Sequence, residues 1–500
     1  MLLLLLLLIV GAGISGFPGR AIAKGEDGSA RCLRWARDFA RNWHAETSPS
    51  EPDLSGTWVS QRCEVRSGPE FILRKYHFFD DSKFHMVQFF YLDSSCTVPA
   101  YALDGWGRLD LSSLSWVVPG ATEAEASLSH LNVIAYTADV AERLSRAVNR
   151  SCPGEIKRPW ETYLKYRLVS FVEGRIADKP LVEDFVCTGG LQFTLNELQL
   201  IRIVHQGPLP NRRQSDAPAA ELYLGDIHSD VRKRLSYRPT SYQPPLLEAS
   251  AAGCHVCHLV AKGAELSPPQ LPPKPKLPVH LNGEWLSLRC EVQPLGLFLA
   301  RRLLFQPGNG SWSGWFQYYR DPNCKQRWFL LSRQGTYEIA GPSQRLRGAT
   351  NVNLHTLSAQ ITPQHRGIVT NLNSAADEGR CGSHWSLRRT QDVTVTGGCR
   401  LLGVSVPSTA YEVVHNEIDV YGNALLFLGH ADTEGEVSRP DRRATAYETP
   451  LVQCRALPEP SNELAGRPLA LISGGAAFKP PLLLLAMILQ MSAVAAALQD

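Results

Sequence analysis

The chain has 500 residues, a formal net charge of +3, 44 % hydrophobic and 20 % charged residues, an ordinary globular composition. Its charges are mixed in sign with no long basic run, which excludes strong steering toward nucleic acid. Twelve cysteines, an even number, point to disulfides and therefore to an oxidising compartment.

In chain order, a leucine run and small residues ending at Ala21-Ile22-Ala23 read as a signal peptide, residues 1–23. Residues 24–50 read as a helical segment. Cys32, Ala36, Phe39, Ala40 and Trp43 fall on one face, with Arg31, Arg34, Arg37 and Arg41 on the others. This predicts an amphipathic helix packed on the first domain and pinned through Cys32. From 51 to 258 the pattern changes to short aromatic-rich strands at 71–73, 76–79, 84–91, 131–136, 166–172, 198–204 and 221–224. One helix interrupts at 137–149, with Val140, Leu144, Ala147 and Val148 on one side. Residues 259–279 are a proline-rich linker, stiff enough for a spacer. Residues 280–454 return to short strands, with no expected counterpart of the 137–149 helix. Residues 455–480 read as a stalk. The apolar stretch 481–498 is about long enough to span a bilayer, and with Ser473-Gly474-Gly475-Ala476 before it also fits a lipid-anchor signal.

The chain carries a long internal repeat. Gly56, Trp58, Ser60, Arg62, Cys63 and Glu64 recur at the same spacing as Gly283, Trp285, Ser287, Arg289, Cys290 and Glu291. Residues 240–246 (Thr-Ser-Tyr-Gln-Pro-Pro-Leu) resemble 445–451 (Thr-Ala-Tyr-Glu-Thr-Pro-Leu). Cys63, Cys96, Cys152, Cys187 and Cys254 line up with Cys290, Cys324, Cys381, Cys399 and Cys454, and Cys32 and Cys257 complete the twelve. So long a period is a duplicated domain, because solenoid repeats run to roughly 20–50 residues. The expected fold is all-β, with two tandem antiparallel β-barrel-like domains and few helices.

Catalytic signatures are missing from the sequence: no Gly-x-Ser-x-Gly, His-Glu-x-x-His, P-loop or dinucleotide fingerprint occurs, so no enzyme, metal or cofactor is expected. Cys254-His255-Val256-Cys257-His258 fits a haem-attachment pattern, but disulfide pairing is the better reading in an oxidising compartment. His205 and His415 both follow apolar strands and read as shared strand ends. Asn149-Arg150-Ser151 and Asn309-Gly310-Ser311 are glycosylation acceptors.

Gly56-Thr57-Trp58 and Gly283-Glu284-Trp285 are similar to the Gly-x-Trp that opens the first strand of lipocalins, where the indole plugs one end of the barrel. A barrel of about eight strands has room for one small ligand. Trp58, Phe71, Phe78, Phe89, Tyr91, Trp285, Phe298, Phe305, Trp315 and Tyr318 are the candidates to line such a lipid pocket.

Taken together, the signal peptide, the twice-repeated Gly-x-Trp-x-x-x-x-Cys-Glu, the twelve cysteines and the apolar C-terminal segment resemble the family of the adenomatosis polyposis coli down-regulated protein, its "like" branch in particular. The resemblance covers the chain from Cys32 to the tail. It implies a plasma-membrane glycoprotein facing outward that inhibits Wnt signalling. The implied partners are acylated Wnt proteins, whose acyl chain a barrel would hold, and a low-density-lipoprotein-receptor-related co-receptor. The alternative is an extracellular lipid-binding or adhesion ectodomain with no Wnt role.

Overall fold

A computed structural model describes residues 31–32, 52–154, 158–176, 179–205, 220–382, 384–419, 422–430, 433 and 439–457. The chain divides into two compact units, Met1–Glu459 and Pro460–Asp500, and every described residue belongs to the first. The expected signal peptide, nearly all of the 24–50 helix and of the stalk, and the 481–498 segment lie outside the described residues. No helix among the described residues is long and apolar enough to cross a membrane.

The first half supplies β1 (Gly56–Ser60), β2 (Glu64–Arg66), β3 (Glu70–Phe78), β4 (Lys83–Tyr91), β5 (Pro99–Leu114), β6 (Thr122–Ala135), β7 (Lys165–Ile176), β8 (Lys179–Val186), β9 (Leu200–His205), β10 (Ala220–Leu224) and β11 (Leu246–Glu248). Eight of them close a ring in the order β5-β4-β3-β1-β11-β10-β9-β6, with β6 pairing back onto β5. The second half supplies β12 (Gly283–Ser287), β13 (Glu291–Gln293), β14 (Leu297–Phe305), β15 (Ser311–Tyr319), β16 (Arg327–Pro342), β17 (Thr350–Pro363), β18 (Gln391–Asp392), β19 (Gly398–Cys399), β20 (Val404–Ser405), β21 (Ser408–Ile418), β22 (Ala424–Leu428) and β23 (Leu451–Arg455). Its ring runs β12-β23-β22-β21-β17-β16-β15-β14 and closes from β14 to β12. Both rings are antiparallel and strand for strand equivalent. The fold is all-β, two barrels with few helices, and closure leaves neither ring an open edge.

Each Gly-x-Trp opens its barrel. Gly56 and Gly283 sit at φ 109° and 121°, backbone that an L side chain resists. This bend turns Trp58 and Trp285 inward, 2 % and 0 % exposed, and each indole Nε1 donates to the carbonyl four residues back, Leu54 O at 2.8 Å and Leu281 O at 2.6 Å. The opposite end of the first barrel is closed by helix Ala138–Ser151, N-capped by Thr137 and burying Val140, Leu144 and Val148. The second barrel has a matching helix, Arg366–Asp377, burying Ile368, Leu372 and Ala375. The expectation that this copy lacks the helix is therefore corrected.

 Thr370, Asn371, Asn373 and Ser374 interleave with the apolar positions, and so polar a run carries little helical signal.

Six disulfides tie the unit together. Cys63–Cys96 and Cys152–Cys187 in the first copy match Cys290–Cys324 and Cys381–Cys399 in the second. The fifth expected match fails. Leu246 faces Ser60 and Leu451 faces Ser287, so three residues further on the position of Cys454 is taken by Ala249, not Cys254. Cys254 bonds Cys257 instead, and Cys454 bonds Cys32. Cys32 therefore packs on the second barrel, beside Leu286, Phe427 and Val452, and not on the first as expected. Nor is the proline-rich linker a free spacer. Leu271 is buried on the first barrel with its N–H on Cys96 O (3.1 Å), Tyr136 Oη donates to Glu265 O (2.7 Å), and Lys274 pairs with Glu417 of the second barrel (2.7 Å).

The two barrels dock by reciprocal contacts, the signature of a two-fold interface. Gly68 N donates to Thr445 Oγ1 (2.8 Å), and the matched Leu295 N donates to Thr240 Oγ1 (2.9 Å). Val292 packs against Val118, Ala121 and Leu200, while its equivalent Val65 packs against Leu346, Ala349 and Val413. Ser229 and Thr433 exchange N–H to Oγ hydrogen bonds at 3.0 and 3.3 Å. The repeated arginines cross the same boundary: Arg62 lies over the Phe427 ring at 5.4 Å, and Arg289 pairs with Glu221 at 2.5 Å. The repeated 240–246 and 445–451 segments lie here too, lining a small cleft of about 60 Å³.

Candidate ligand site

Strand alternation sorts the ten pocket candidates. Trp58 and Phe78 belong to the lumen core of the first barrel, and Trp285 and Phe305 to that of the second. Tyr318 is inside the second barrel at its helix-capped end, stacked on Phe329 at 4.4 Å. The other five are not lumen residues. Phe89 and Tyr91 are buried on the outer wall of the first barrel beneath helix His255–Lys262 and Leu271, and Phe71 packs on the same layer. Phe298 packs on the Cys290–Cys324 bridge, and Trp315 lies under the half-exposed Arg302 at 4.6 Å. Aromatic residues mark both faces of these strands because both faces are covered.

Neither lumen is uniformly apolar. In the first barrel Arg74, fully buried, is held by Glu64 at 2.8 Å and by Pro244 O at 2.7 Å, and Ser60 Oγ donates to Glu64 (2.5 Å). Beside this pair Glu197 accepts from Tyr76 Oη, from Gln88 Nε2 at 2.7 Å and from Gln243 Nε2 at 2.8 Å, and pairs with Arg66 at 3.3 Å. In the second barrel Arg301 bridges Glu291 and Glu448, both at 2.6 Å. The Ser and Glu of the repeated motif thus build a charged layer across each barrel, which the motif's recurrence signalled but its aromatic neighbours obscured.

Burial, reinforced by Glu448, pushes Glu412 up to about 7, whereas at Glu417 the opposing pull of burial is overcome by His415, Lys274 and Arg62, which hold it down to about 2. Glu412 therefore keeps in the folded state a proton that the unfolded chain releases near 4.5. Its contribution to stability is full below pH 4.5 and is lost as pH rises to about 7. Glu417 acts with the opposite sign, its contribution lost as pH falls from 4.5 to about 2. Glu412→Gln should match the parent at pH 4.5 and exceed it at pH 8 by on the order of 2 kcal/mol in denaturant unfolding. An unchanged difference between the two pH values would show that Glu412 titrates as an ordinary carboxyl.

At the Trp58 end a cavity of about 320 Å³ opens to solvent. Leu54, Phe78, Leu109 and Leu111 form an apolar floor continuous with the lumen core, while Asp53, Ser55, Asp80, Ser82, Lys83 and Asp110 make the larger part of its surface polar. Its size lies at the lower end of the roughly 300–1,000 Å³ typical of small-molecule sites. A small apolar floor beneath a wide polar mouth suits a chain-like ligand that buries only a short apolar stretch and keeps its polar end in water. Leu54, Leu109 and Leu111 were not among the sequence candidates, being isolated leucines with no aromatic neighbours to draw notice.

Both glycosylation candidates are exposed, Asn149 near the end of the capping helix and Asn309 in the β14–β15 turn. His205 and His415, expected as equivalent strand ends, are not equivalent. His415 faces Phe427 where the first barrel sets Arg202 opposite Tyr223, and His205 pairs with Ala220 at the end of β9.

Two closed barrels, disulfide-braced and docked by a pseudo-two-fold interface, define a duplicated extracellular or secreted β-barrel protein. The profile of the family described as adenomatosis polyposis coli down-regulated 1 matches residues 31–272 and 275–397. The chain belongs to that family.

Proposed function

We propose that this chain is a cell-surface negative regulator of Wnt signalling that binds the Wnt acyl chain through the mouth of the first barrel. The observation that carries this reading is the cavity of about 320 Å³ with its floor of Leu54, Phe78, Leu109 and Leu111. Family membership supports the Wnt role. Each methylene removed from water contributes roughly 0.8 kcal/mol, so even part of a long acyl chain seated there supplies useful affinity before association costs are subtracted. In this reading the protein binds and does not catalyse, a low-density-lipoprotein-receptor-related co-receptor is a second partner, and the 481–498 segment holds the chain at the plasma membrane.

The test compares acylated Wnt with Wnt lacking the acyl group, using a chain ending before Ser473. Tight binding of the first and at least tenfold weaker binding of the second is the expected result. Leu111→Arg, at a half-buried position of the floor, should lower acylated-Wnt binding at least tenfold with unchanged thermal unfolding. Equal binding of both Wnt forms would leave the alternative, an adhesion-type ectodomain contacting partners through its outer faces.

A further inference from the structure

We propose that the Cys254–Cys257 bridge is a thiol–disulfide exchange site, opened by attack at Cys254, which trades its oxidation state with a dithiol-bearing secreted polypeptide. Four observations converge on it. The two cysteines are three residues apart at the start of helix His255–Lys262, while the other five bridges join residues 18 to 422 apart. A bridge that closes so short a loop constrains the unfolded chain least, so the fold depends on it least. Cys254 is half-buried beside the exposed Gly253 and His255, whereas Cys257 is fully buried among Val260, Leu271 and Phe89. One sulfur is therefore open to an incoming thiolate and the other is shielded, which sets the order of attack.

The reduced form is also prepared. Cys254 is the N-cap of the helix, and its Sγ accepts the Cys257 N–H at 3.1 Å. The same N–H and the positive end of the helix favour a thiolate at Cys254. Cys152, also half-buried, is the C-cap of helix Ala138–Ser151, at the end where negative charge is disfavoured. Accessibility alone does not single out Cys254. Accessibility together with thiolate stabilisation does.

In the step, a partner thiolate attacks Cys254 Sγ. The S–S bond breaks, its electron pair leaves on Cys257 Sγ, and Cys257 takes a proton from water. The partner's second thiolate then attacks its own sulfur in the mixed disulfide and displaces Cys254 as thiolate. The partner departs with a disulfide, having lost two electrons, and this chain holds the dithiol that gained them.

The full chain is equilibrated in glutathione redox buffers of increasing reducing strength, quenched with an alkylating agent and mapped by peptide mass spectrometry. Cys254–Cys257 should open first, at reductant at least tenfold below that needed by any other bridge, with an unchanged near-ultraviolet circular dichroism spectrum. In the partly reduced chain Cys254 should alkylate at least tenfold faster than Cys257 at pH 6.5. Cys257→Ser should carry glutathione on Cys254. Opening only after Cys63–Cys96 or Cys290–Cys324 would overturn the proposal, as would equal alkylation of the two thiols. Should Cys257→Ser fail to be secreted, the titration of the unaltered chain decides alone.

Discussion

Trp58→Ala and Trp285→Ala should each destabilise the protein by about 3–5 kcal/mol, the range for removing a large aromatic from a close-packed core. Both indoles are at most 2 % exposed, so each truncation leaves a void ringed by rigid strands. Each also strands a buried carbonyl, Leu54 O or Leu281 O, that the indole N–H now satisfies. Strand pairing on both sides of β1 and β12 limits how far the wall can collapse into the space. Trp58→Phe keeps most of the volume and loses only the hydrogen bond, and should cost less than half as much. Chemical denaturation midpoints check this, and a near-neutral Trp58→Ala would mean that the indole does not plug the barrel.

Glu64→Ala should cost about 3–5 kcal/mol, because it leaves the fully buried Arg74 guanidinium without a counter-charge. The matched Glu291→Ala should cost less than half of that. Arg301 keeps a second carboxylate, Glu448, at 2.6 Å, whereas the first barrel has the neutral Gln243 at the corresponding place. Replacing Glu64 and Arg74 together by leucine should recover much of the loss, since no unpaired charge remains. Equal penalties for Glu64→Ala and Glu291→Ala would show that Glu448 does not hold Arg301.

Much of this architecture can be read from the chain alone. The recurrence of Gly56…Glu64 as Gly283…Glu291 reveals the duplication, short aromatic runs reveal strands, and the helix over 137–149 shows because Val140, Leu144 and Val148 keep a clean helical period. Its partner at Arg366–Asp377 escapes notice because only Ile368, Leu372 and Ala375 are buried and the polar residues between them leave little periodic signal. The mouth escapes for a different reason. Leu54 precedes β1 whereas Leu109 and Leu111 lie on β5, and only closure of the barrel brings these two segments together.

Two copies of one β-rich, disulfide-braced unit, each opened by a glycine and a tryptophan, are legible in the order of residues, because those patterns are local or recur in order. Which aromatics face a lumen, which cysteines join, and the reach of Arg62 and Arg289 into the opposite barrel emerge only from the folded arrangement. These are questions of which surface covers which. A strand whose two faces are both buried, one by the lumen and one by a strap or a second barrel, shows no polar side to tell inside from outside.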